Sequence, residues 1–145
     1  YMKSQFRKVG IDIVLRPSTD LADFGNRIGQ WNYQLAMNST FNYPDPLIGV
    51  HRSFVCSNIR KVLWANTEGY CNEKLDAVLL KAASEPDLAR RKALYAQFQK
   101  TVTEELPFVW TNEEPYTTVY DKRVTGLPRS VWGALSSLED LRWAS

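Results

Sequence analysis

Residues 8–37 read KVGIDIVLRPSTDLADFGNRIGQWNYQLAM, and the fold class turns on this stretch. Ile11, Ile13 and Leu15 fall on one face of an extended segment at 11–16, and Val14 adds an apolar residue to the other face. That pattern asks for burial from both sides, as in α/β sheets. Just upstream, Gly10 suits the C′ position that closes a preceding helix. Pro17 breaks the strand, and Ser18-Thr19-Asp20 supplies an N-cap. The spacing of Leu21, Phe24 and Ile28 predicts a helix over 20–29. Residues 33–37 alternate again and read as a second strand. Strand, helix and strand joined by short connections make a βαβ unit, which implies parallel strands and a right-handed crossover. The expected class is α/β.

Working outward, regular patterning fades over 38–70, which holds Pro44, Pro46, Gly49 and Gly69 among many Asn and Ser residues. Long irregular stretches in compact domains are often functional; a short helix within 50–59 fits the pattern. Two helices follow. Asn72 caps the first, with Leu75, Val78, Leu79, Ala82 and Ala83 on one stripe. Asp87 caps the second, with Leu94, Tyr95, Phe98, Val102 and Leu106 down one side. Pro86 enforces the break between them and Pro107 ends the second. Residues 108–111 read as a buried strand and 116–120 as another, after the Asn112-Glu113-Glu114-Pro115 turn. From Asp121 onward the chain shows turns and the anchors Leu127, Trp132 and Trp143. No internal repeat is evident.

With 145 residues, 44% of them hydrophobic, the chain makes one domain or a large piece of one, taken here as a single unit over 1–145. A formal charge of +2, with Lys and Arg scattered, argues against nucleic acid or an anionic membrane as partner. The nearest basic cluster, Arg90-Arg91-Lys92, reads as the solvent face of a helix. No apolar run approaches the roughly 18 residues of a membrane span. The opening Tyr1-Met2-Lys3-Ser4-Gln5-Phe6-Arg7-Lys8 has no apolar leader core and reads as the last turns of a helix, so leading sequence is expected upstream. Two cysteines, Cys56 and Cys71, permit a disulfide in an oxidising compartment without requiring one. With His51 the sole histidine, a structural zinc site is not expected.

Chemistry-bearing motifs are sparse. There is no nucleophile elbow, phosphate loop, dinucleotide fingerprint or metalloprotease motif. The glycines of Gly25-Asn26-Arg27-Ile28-Gly29 fall within a helix, whereas a phosphate cradle needs them before it starts. The pairs Glu104-Glu105 and Glu113-Glu114 read as solvated at a helix end and in a turn. Catalysis, cofactors and metals are therefore not expected. The segment Phe41-Asn42-Tyr43-Pro44-Asp45-Pro46 is the better candidate, because ligands of open α/β sheets gather beyond the carboxyl ends of strands. Its two prolines stiffen the loop, which lowers the entropy lost on gripping a ligand. Asn42, Tyr43 and Asp45 offer an amide, an aromatic face and a carboxylate, and His51 and Arg52 could read an anionic group. The competing reading is a structural turn with Arg52 pairing Asp45. The five tryptophans, Trp31, Trp64, Trp110, Trp132 and Trp143, read mainly as core or lobe-interface residues, with ligand stacking open for one or two.

The order of several motifs resembles the ABC-transporter solute-binding proteins that include the dipeptide- and oligopeptide-binding proteins. Lys8-Val9-Gly10-Ile11-Asp12-Ile13 is similar to the family's strand entry, and Tyr43-Pro44-Asp45-Pro46 stands in place of its Asp-Pro ligand loop. Trp64-Ala65-Asn66-Thr67-Glu68-Gly69-Tyr70-Cys71-Asn72-Glu73-Lys74-Leu75-Asp76 looks like the family's "N..gY.N.evD" stretch, continued by Leu79-Leu80-Lys81-Ala82-Ala83. Arg90-Arg91-Lys92-Ala93-Leu94-Tyr95-Ala96-Gln97-Phe98-Gln99 is similar to its "R..lY..fQ" helix, and Glu105-Leu106-Pro107-Phe108-Val109 to the strand that follows.

The resemblance implies a periplasmic or cell-surface receptor of two hinged lobes, of the type II kind, that presents captured solute to an ABC permease. Because family members are several-fold longer, this chain would be a truncated, βαβ-containing C-terminal portion: much of the second lobe plus the return toward the first. One departure matters. Peptide-binding members are expected to hold the ligand's amine with an aspartate three residues before the Asp-Pro pair, and here that position is Asn42. Either Asp45 takes the role, or the ligand is not a free-amine peptide and is a sugar or other metabolite. Two other classes remain open beside the receptor: a stand-alone α/β protein-interaction module, and an enzyme, for which no acid/base constellation is present.

Overall fold

Four helices begin where side chains cap them. A computed structural model describes residues 1–40, 43, 45–113, 117–130 and 136–144. Helix α1 spans Met2–Lys8, α2 Leu21–Gly29, the single turn α3 Pro46–Gly49, α4 Glu73–Ser84 and α5 Leu88–Glu105; β1 is Val124–Thr125 and β2 Arg142–Trp143. Asp20 accepts the Asp23 N–H at 2.8 Å while Asp23 accepts the Thr19 N–H at 3.1 Å, a reciprocal cap. Asn72 accepts the N–H groups of Lys74 and Leu75, and Asp87 that of Arg90. Gly10, at φ +83°, closes α1, with its own N–H on Arg7 O and that of Ile11 on Phe6 O. Helix α2 ends in the same bonding pattern, but Trp31 occupies its left-handed position at φ 57°. A residue with a Cβ pays about 1–2 kcal/mol there.

The core lies between α4 and α5. Leu75, Leu79 and Ala82 face Phe98 and Val102, and Leu79 is 0% exposed. Phe54, delivered by the preceding loop, covers this seam and meets Phe98 edge-on at 4.9 Å and Phe108 at 5.3 Å. Each such buried side chain contributes about 1.5–3 kcal/mol.

The irregular stretch upstream of α4 is held by polar contacts as well as by Phe54. It contains two 3₁₀ turns, His51–Ser53 and Cys56–Asn58, where one short helix was expected within 50–59. A disulfide joins Cys56 to Cys71, and both carboxylate oxygens of Asp76 accept the Cys56 N–H. Asn66 is wholly buried: its amide donates to Val55 O and Tyr70 O, its carbonyl accepts the Tyr70 N–H, and its own N–H reaches Asn58 O. Every polar group of Asn66 side chain is thereby used, which removes the penalty of burying it. Gly25 and Gly29 let this loop lie across α2: a Cβ at Gly29 would stand 3.1 Å from Lys61 O, and one at Gly25 3.2 Å from Leu63 Cδ2.

The expected strands are unpaired, and bends fall at Gln34, Leu35 and Phe108. Residues 11–16, 33–37, 108–111 and the described part of 116–120 join no ladder, and Val14 is 73% exposed. Among the described residues the sheet is the antiparallel pair β1–β2, with Val124 opposite Trp143 and Thr125 opposite Arg142. Alternation shows which face seeks burial, but a strand exists only when a neighbour answers its N–H and C=O groups. After α2 the chain turns at Trp31, and the Tyr33 hydroxyl donates to Thr67 O at 2.8 Å. That bond ties the segment to the loop before α4.

Candidate functional site

The loop singled out in the sequence starts at a helix cap. Asp45 accepts the Leu47 N–H at 2.9 Å, and Pro46 takes the first position of α3, where its missing N–H costs nothing. The same carboxylate receives Arg91 Nη2 from α5, at 2.7 and 2.9 Å to its two oxygens. Arg91 Nε donates in turn to Ala82 O at the end of α4, and the guanidinium lies 5.5 Å from the centre of the Tyr95 ring. The Tyr95 hydroxyl shares a 3.0 Å hydrogen bond with Nε2 of the buried His51. Asp45, Arg91, Tyr95 and His51 thus form one chain of contacts from the loop to the helical hairpin.

Their electrostatics follow from these contacts. The Arg91 hydrogen bonds, and then the Leu47 N–H, hold the Asp45 carboxyl below its usual range. Burial pushes the His51 imidazole down, against the opposing pull of Asp45. At neutral pH Asp45 is ionised with its charge answered, and His51 is neutral.

One expectation, the solvent-face placing of Arg91, is corrected here, and so is the ion pair of the competing turn reading. Asp45 pairs with Arg91, not Arg52. Arg91 is not on the solvent face, since its side chain is 26% exposed against 75% for Arg90. Arg91 precedes Tyr95 by four and Phe98 by seven, so it lies on the buried stripe, a phase readable in the sequence. Arg52 instead sends Nε to Gly49 O at 3.2 Å and places its guanidinium 5.9 Å from the Tyr43 ring centre. Asn42 lies outside the described residues. Asp45, His51, Tyr43 and Arg52 are therefore brought into one neighbourhood, with Arg91 and Tyr95 as members that sequence reading missed.

A second polar cluster closes the other end of the hairpin. Glu105 accepts the Tyr70 hydroxyl and, at 2.8 Å, the Asn72 amide, so this carboxylate is engaged at the surface. These bonds hold Glu105 below its usual range, while burial and the nearby carboxylate push Tyr70 up to about 12. Tyr70 and Asn72, with Asn66 and Asp76, belong to the "N..gY.N.evD" stretch, and each of the four makes an internal contact.

Trp31, Trp64, Trp110 and Trp143 are all exposed, contrary to a core reading, while Trp132 lies outside the described residues. Lys61 stands over the Trp31 ring at 5.6 Å and Arg123 over Trp143 at 5.2 Å. A shallow cleft of about 420 Å³ lies away from Asp45, between Thr118 and Tyr120 on one side and residues 124–129 on the other. Among the described residues no group of three His, Cys, Asp or Glu could hold a metal, and no helix is long and apolar enough to cross a membrane.

Over 125 residues the chain is 27% identical to the probable D,D-dipeptide-binding periplasmic protein of Escherichia coli (strain K12). The match covers 86% of this chain and 24% of that protein, so the chain spans about a quarter of its relative's length. No family model and no solved structure matches.

Proposed function

We propose that this chain is part of the second lobe of an ABC-importer receptor, an α/β lobe whose sheet is completed by chain outside these residues. The observation that carries the reading is the similarity to a periplasmic dipeptide-binding protein across most of the chain. Two features support it. The Cys56–Cys71 disulfide suits an oxidising compartment such as the periplasm or cell surface. The candidate loop also stands on a rigid hairpin, as a surface that grips a solute must.

In this mechanism the solute bridges two lobes and shifts the population from open to closed, and the closed form docks on the permease. The loop from Asn38 to Arg52 is this lobe's contribution. Tyr43 and Arg52 face the solute, while Asp45 and His51 hold the loop to α5. A peptide or a related small solute is the ligand class. Calorimetric titration of the full-length protein with L,L- and D,D-dipeptides, sugars and opines tests this. Saturable binding of one class is expected; absence of binding by every class, in protein shown to be folded and ligand-free, would sink the proposal.

A further inference from the structure

We infer that Arg52 is the ligand-facing charge of this lobe and receives a carboxylate or similar oxyanion of the solute. The inference rests on the solute-binding reading above and narrows its ligand class.

Three arginines have partly covered side chains: Arg27, Arg52 and Arg91. Arg27 pairs with Asp23 at 2.9 Å and Arg91 with Asp45 at 2.7 Å. Among the described residues Arg52 alone of the three has no carboxylate within ion-pair distance. Covering a guanidinium without a counter-charge costs free energy that an arriving oxyanion offsets. The side chain is also oriented in advance. Its Nε donates to Gly49 O and its guanidinium carbon lies 5.9 Å from the Tyr43 ring centre, so a forked contact with two oxygens falls to its terminal nitrogens.

The surrounding charge points the same way. Residues 38–54 contain one acid, Asp45, and Arg91 neutralises it. His51 is buried against Tyr95. What the loop offers a solute is thus one positive charge, that of Arg52. An ammonium would meet repulsion and find Asp45 already engaged; an oxyanion would meet attraction.

The test uses full-length protein as wild type, R52Q and R52K, with thermal melts to verify folding. The titrants are N-acetyl-dialanine, which has a carboxylate and no ammonium, its C-terminal amide, which has neither, and dialaninamide, which has the ammonium alone. Wild type should bind the carboxylate at least about tenfold tighter than the acetylated amide. R52Q should erase that preference, and R52K, which keeps the charge but not the fork, should retain part of it. A preference for dialaninamide, or one for the carboxylate that survives R52Q, overturns the inference.

A second measurement separates this inference from the transport reading. The Arg52 side-chain N–H resonance, identified by its loss in R52K, is followed during titration with acetate and with inorganic phosphate. A saturable shift supports the anion site even if no dialanine probe binds, and in that case the peptide-receptor reading alone fails. The stronger anion separates a carboxylate preference from a phosphate one. No shift, or a non-saturating shift that marks an adventitious ion only, overturns the inference.

Discussion

The α4–α5 hairpin and the segments at 11–16, 109–113 and 117–120 all carry apolar residues, yet the hairpin buries far more of its own. Leu79 is 0% exposed, whereas Val14 is 73% and Val119 91% exposed. A helix answers its own backbone within one turn, so two capped helices joined by a short Pro-containing link can find each other locally. A strand must be answered by another segment. The comparison teaches that this chain holds its own helical core, while its apolar residues at 11–16 and 109–110 stay largely exposed and join no ladder among the described residues.

The largest test of the hairpin is Leu79→Ala, which should cost about 2–5 kcal/mol in chemical denaturation. A loss below 1 kcal/mol would mean the seam is not the core. Removing the disulfide by replacing Cys56 and Cys71 with Ser should cost about 3 kcal/mol, from the 15-residue separation it closes. Reduced and oxidised wild type compared in the same assay checks the estimate. Asn66→Ala should follow at about 1–3 kcal/mol, because it orphans the Val55 and Tyr70 carbonyls and the Tyr70 N–H. Asn66→Asp keeps the acceptor alone, so it should recover only part of that loss.

Much of the hairpin was legible. Asp20, Asn72 and Asp87 cap the helices they were expected to cap, and Gly10 closes α1, because caps are local chemistry. The disulfide was left open since two cysteines do not state their pairing partner's compartment. Arg91 was misread because it was grouped with Arg90 and Lys92 by charge, when its helical phase with Tyr95 and Phe98 decided its direction. Trp31 in a left-handed turn had no local signal at all. The bond from Cys56 N–H to Asp76 joins residues 20 apart, and only tertiary packing creates it. Unpaired strands escaped for a related reason: alternation is local, and pairing is not.

A smaller effect concerns the join between loop and hairpin. The native His51 pKa lies below its unfolded value, so the unfolded chain takes up a proton that the native one refuses. Stability from this group is present above about pH 6.5 and is lost as pH falls through the window below it. Asp45, whose native pKa is also lowered, adds a second loss below its ordinary value of 3.8. Denaturation against pH should show both steps, and His51→Gln should remove the upper one. The smallest expected effect is Val14→Lys, within about 0.5 kcal/mol in the isolated chain. In the full-length protein the same change should destabilise clearly if 11–16 is there a paired strand. Equal, negligible effects in both would end the idea that the segment awaits a partner.

The reading of this chain as part of a solute receptor is reached most directly by native mass spectrometry of the full-length protein, purified gently enough to retain its ligand. A bound small solute carrying an oxyanion, lost on mild activation together with the closed conformation, is the expected result. Protein that is ligand-free from every growth condition, and unchanged in mobility when dipeptides and metabolites are added, would contradict it.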